Sequence, residues 1–89
     1  MTFEEIKKSI AGLTPEQAIE KLNAILSENP DNDNALTIRG MKYWSCGNRA
    51  LAINDYLAAI KINPESKAVQ ALKATNEILD YYNKDLYNP

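Results

Sequence analysis

DNALTIRGMKYWSCGNRALAINDYLAAIKINPES, residues 33–66, is the stretch that decides the fold. It holds two runs of apolar residues at helical spacing, divided by Gly47-Asn48 and closed by Asn63-Pro64. The same pair closes the preceding run as Asn29-Pro30, 34 residues earlier. Ala18 returns as Ala52, Ile19 as Ile53 and Ala24 as Ala58, while Leu22 and Leu26 return as the bulky Tyr56 and Ile60. A fixed period of this kind marks one supersecondary unit used more than once.

Outward from this stretch, helix signals continue and strand alternation is missing. Thr2-Phe3-Glu4-Glu5 is a capping-box pattern and predicts a short helix over about residues 2–11, with Phe3, Ile6 and Ile10 on one face and Gly12 as its stop. Thr14-Pro15-Glu16-Gln17 opens a second helix, because proline at the first turn loses only an N–H that has no partner there. Ala18, Ile19, Leu22, Ile25 and Leu26 form its apolar stripe, and Pro30 ends it. The polar run Asp31-Asn32-Asp33-Asn34 is a turn, one member of which caps a third helix over about residues 34–46. A fourth helix is predicted over 49–62, and Ser66 caps a fifth that carries Val69, Leu72, Leu79 and Tyr82. The connections are short, so consecutive helices are expected to be antiparallel neighbours.

Composition narrows the function. The chain has 89 residues, one domain's worth, with 45% hydrophobic content and a net charge of −2 without a basic block. Nucleic acid therefore lacks an electrostatic footprint. Histidine is absent and Cys46 stands alone, so neither an internal disulfide nor a zinc site is expected, and no other metal or cofactor is implied. The N-terminus has acids where a signal peptide needs bases, and no run reaches the roughly 20 apolar residues of a membrane span. A cytoplasmic protein without a membrane partner is the expectation.

Residues 33–66 resemble a tetratricopeptide repeat over its full length. Gly40 and Tyr43 occupy the small and aromatic positions of the repeat's first helix, and Ala52, Tyr56, Ala59 and Pro64 follow in those of its second. The logic of the pattern is steric: Gly40 and Ala52 let two backbones approach, Tyr43 and Tyr56 fill the wedge, and Pro64 stops the second helix. Gly47 matches the glycine between helices, whereas Leu36 stands where the family often has tryptophan and Arg39 where it often has leucine. Residues 1–32 read as a degenerate repeat, 67–83 as a capping helix and 84–89 as a tail. The resemblance implies an all-α, right-handed array of antiparallel helix pairs, about five helices in a single domain.

It also implies a non-catalytic scaffold that binds another polypeptide along the groove lined by the first helices of successive repeats. The groove positions carried over are Asn34, Thr37, Met41, Trp44 and Ser45, followed by Ala68, Ala71, Thr75 and Ile78. Thr37, Met41 and Trp44 share a helical face, and an exposed tryptophan beside methionine is a good anchor. Trp44 packed beneath the chain's own C-terminal helix satisfies the same sequence. Family members that grip a terminal carboxylate use basic and amide side chains there; Thr37, Ile38, Met41, Ala68 and Leu72 offer none, which favours an apolar or aromatic ligand.

Tyr81, Tyr82 and Tyr87 crowd the C-terminus. The alternative reading is thus a homo-oligomeric unit, such as a homodimer, whose groove is closed by its own tail. An enzyme is not indicated: no nucleophile–base pair and no phosphate-binding loop is present. A DNA-binding helix-turn-helix fails on charge, since the helix from Arg49 offers only Arg49 and Asn54 before Asp55.

Overall fold

Each helix starts where a side chain takes up a backbone N–H that has no partner within the helix. The computed structural model describes residues 1–76. Thr2 accepts from the Glu5 amide at 3.2 Å while Glu5 accepts from the Thr2 amide at 3.0 Å, which opens α1 (Phe3–Ile10). Thr14 and Gln17 repeat the exchange at the start of α2 (Pro15–Glu28). Asn32 accepts from Ala35 at 3.1 Å to open α3 (Asp33–Ser45), and Asn48 accepts from Leu51 to open α4 (Arg49–Ile62). Ser66 Oγ accepts from the Ala68 amide at 3.1 Å and is followed by a helix over residues 68–76, α5.

The described residues form an all-α fold of five helices without a strand, and none of these helices is long and apolar enough to cross a membrane. The expected bounds shift by one residue at α1 and α3 and coincide at α4. At α3 the reason is that Asn32 takes the cap, which leaves Asp33 in the first turn, where its negative charge complements the positive end of the helix dipole. Gly12 and Gly47 leave α1 and α3 at φ +84° and +82°, the left-handed region that costs glycine least.

The core lies around α3, which packs on α1, α2 and α4. Ile6 and Ile10 from α1, Leu22 and Leu26 from α2, and Leu36 and Ile38 from α3 are buried together with Ala52, Tyr56 and Ala59 of α4. Asp33 at the start of α3 accepts a long 3.4 Å bond from Asn63 just past the end of α4, and Gly40 faces Ala52 and Tyr56 midway, so these two helices run antiparallel. Their approach depends on Gly40. A Cβ there would stand 2.6 Å from Tyr56 Cε1 and 3.1 Å from the Ala52 carbonyl oxygen.

Arg39 ties three helices. Its Nε and Nη2 donate to the two carboxylate oxygens of Asp55 on α4, each at 2.8 Å, and Nη1 donates to Asn23 on α2 at 2.9 Å. The bidentate geometry matches the planar guanidinium to the carboxylate. Asp55, only 6% exposed, favours the charged guanidinium, and its hydrogen bonds raise the pKa of Arg39 above the ordinary value. The guanidinium carbon also lies 5.8 Å from the Tyr43 ring centroid.

Candidate functional site

The surface beside α3 is closed near the start of that helix and open near its end. At the closed end, Thr37 is 1% exposed; its hydroxyl donates to the Asp33 carbonyl at 2.8 Å and lies 3.2 Å from Ser66 Oγ. Ala68, at the start of α5, is fully buried beside it in the core. Lys67 then reaches toward α1, with its ammonium 4.2 Å from the Phe3 ring centroid and 3.9 Å from Glu4 Oε1. α1 and the turn before α5 thus meet, which leaves Thr37 and Ala68 inside the protein rather than on a groove floor.

The open end consists of two hollows that share Met41, itself 43% exposed. The first, about 150 Å³, lies between the end of α1 and α3 and is walled by Ile10, Leu13, Ile38 and Met41 with Lys7 and Lys42. The second, about 270 Å³, is bounded by Met41, Trp44, Tyr56, Ala71, Ala74 and Thr75, so it spans α3, α4 and α5. Among the described residues, none of its lining side chains carries a charge at neutral pH. Burial, and secondarily the charge of Asp55, raises the Tyr56 pKa, which keeps its phenol neutral.

Trp44 is half-buried, packed against the core, with the Arg49 guanidinium carbon 5.2 Å from its ring centroid. That cation–π contact steadies the indole while part of it stays accessible beside the cavity. Of the expected groove residues, the structure brings together Met41, Trp44, Ala71 and Thr75. Asn34 borders a separate hollow with Met1, Ile25 and the 28–33 turn. Ser45 is exposed and bonds back to the Lys42 carbonyl at 2.7 Å. Ile78 lies outside the described residues, as do Leu79 and the tyrosines from Tyr81 onward.

No protein-family model, curated protein or solved structure matches the chain. The surface is therefore interpreted from its own chemistry. What the sequence did not single out is the α1 side of it, above all Lys7 and Lys42. These lysines sit 35 positions apart and meet only because α1 packs on α3. Arg39 was visible as a charge where the resembled family often has leucine, but its pairing with Asp55, sixteen residues on, was not singled out.

Proposed function

We propose that the chain is a non-catalytic protein-interaction module of tetratricopeptide-repeat type. In this reading α1–α2 and α3–α4 are successive helix pairs of a right-handed array, and α5 begins the cap. The close approach of α3 and α4 at Gly40, Ala52 and Tyr56 supports the repeat geometry. The observation that carries the function is the uncharged cavity framed by Met41, Trp44 and Tyr56, open at a surface where three helices converge. A tryptophan and a methionine at such a rim supply a large, adaptable apolar contact, the composition on which interface energy concentrates.

The test is selection of random dodecamer peptides on the immobilised full chain, followed by titration of synthetic winners while Trp44 emission is recorded. Enriched peptides should shift that emission, and Met41→Asp, on an exposed side chain, should abolish binding without loss of helical circular dichroism. A selection without enrichment, or winners indifferent to Met41→Asp, overturns the reading.

One observation favours the homo-oligomeric alternative. Thr75, one residue before the described residues end, lines the cavity, and the sequence that follows carries Tyr81, Tyr82 and Tyr87. Light scattering coupled to gel filtration separates the two readings: a monomer at micromolar concentration removes the oligomer.

A further inference from the structure

We propose that the open surface selects a partner segment carrying an acidic side chain a few residues from a bulky apolar one. The apolar side chain enters the Met41–Trp44–Tyr56 cavity and the carboxylate lies between Lys7 and Lys42. This rests on the peptide-binding reading above and narrows it to a class of ligand.

Charge complementarity carries the inference. Among the described residues, the hollow between α1 and α3 contains two lysines and no acid, in a protein whose net charge is −2. Three other cations near this surface are engaged: Lys67 with Glu4 and Phe3, Arg39 with Asp55, and Arg49 over Trp44. Among the described residues no carboxylate pairs with Lys7 or Lys42. The Lys7 ammonium has only a loose approach to the Phe3 ring, 5.6 Å from its centroid.

Among the described residues the adjoining cavity has no charged lining and no partner for an ion. A carboxylate placed there would lose its hydration without compensation, whereas an apolar side chain placed there sheds water favourably. The two hollows therefore take unlike groups, and Met41 as their common wall sets those groups close together along one bound segment. A carboxylate between two hydrated lysines adds modest affinity but fixes direction and suppresses basic ligands.

The experiment repeats the peptide selection on the wild-type full chain and on Lys7→Gln/Lys42→Gln, using end-blocked peptides so that no terminal carboxylate contributes. Wild type should enrich Asp or Glu within a few residues of Phe, Tyr, Trp or Leu; the variant should keep the apolar enrichment and lose the acid. A synthetic winner should bind wild type about five- to tenfold more tightly than its Asp→Asn analogue at low salt, and the margin should vanish in about 0.5 M NaCl, where charges are screened. The salt comparison uses wild type alone, so it holds even where the double variant fails to fold. Winners rich in apolar residues without acids would overturn the acidic preference and leave the interaction reading intact. A selection without winners would overturn both. Peptides that bind only after Tyr81, Tyr82, Leu86 and Tyr87 are all changed to Ser in the full chain would make the chain's own C-terminal segment the occupant, overturning an external partner.

Discussion

Gly40 shows how much one residue can decide. By helix propensity alone Gly40→Ala should stabilise α3 by about 1 kcal/mol. Sterically the opposite holds, because the new Cβ would stand 2.6 and 2.8 Å from the Tyr56 ring, which is 3% exposed, and 3.1 Å from the backbone oxygen of Ala52, which belongs to the α4 backbone and cannot yield alone. Overpacking of this kind costs about 1–3 kcal/mol and outweighs the gain, so Gly40→Ala should lower the urea midpoint. Tyr56→Leu added to Gly40→Ala should recover part of the loss, since the clashing ring atoms are gone. This arrangement was legible in the sequence. A glycine inside a helix, facing a helix with alanine and tyrosine four residues apart, has few uses other than close approach. Thr37 was not legible in the same way. Its spacing with Met41 and Trp44 placed it on the right helical face, but its exposure depends on Ser66 and Ala68, which belong to another element.

At the level of elements, local signals and packing divide the work. The caps at Thr2, Thr14 and Asn32 act within three residues, so sequence spacing was enough to read them or to confine them to a short run, whereas Asn48 was legible only as part of the break before α4. Asn32→Ala should cost about 1 kcal/mol in chemical denaturation by leaving the Ala35 amide without its acceptor. The Arg39 tie is of the other kind, since it joins α2, α3 and α4. Arg39→Leu restores an apolar side chain at that position but leaves Asp55 buried without its cation. Because the Arg39 side chain is 23% exposed, the expected loss is about 1–3 kcal/mol, below that of a fully buried pair. The double variant Arg39→Leu/Asp55→Ala should lose less than the sum of the two single changes, as a double-mutant cycle would show.

For the whole molecule, the linkage between folding and protons gives a test that no single element determines. Burial raises the Tyr56 phenol above its ordinary value of 10.0. Below that value both the folded and the unfolded chain hold the proton, and the contribution of Tyr56 to stability is fully present. As the pH rises through the native value the unfolded chain has already released its proton, so stability falls. Melting temperature should therefore decline above about pH 10, and Tyr56→Phe should flatten that decline although the other tyrosines still titrate. The sequence by itself determined that the described chain is helical, where α1, α3 and α4 begin and end to within a residue, and which small and aromatic residues would let α3 and α4 meet. These features depend on neighbours a few positions away or on a simple period. Only the tertiary structure decided which groove residues face outward, that Lys7 and Lys42 share a hollow, and that Arg39 binds Asp55 and Asn23. Exposure and charge pairing depend on side chains brought together from separate helices, and the pattern of one helix does not encode what will stand beside it.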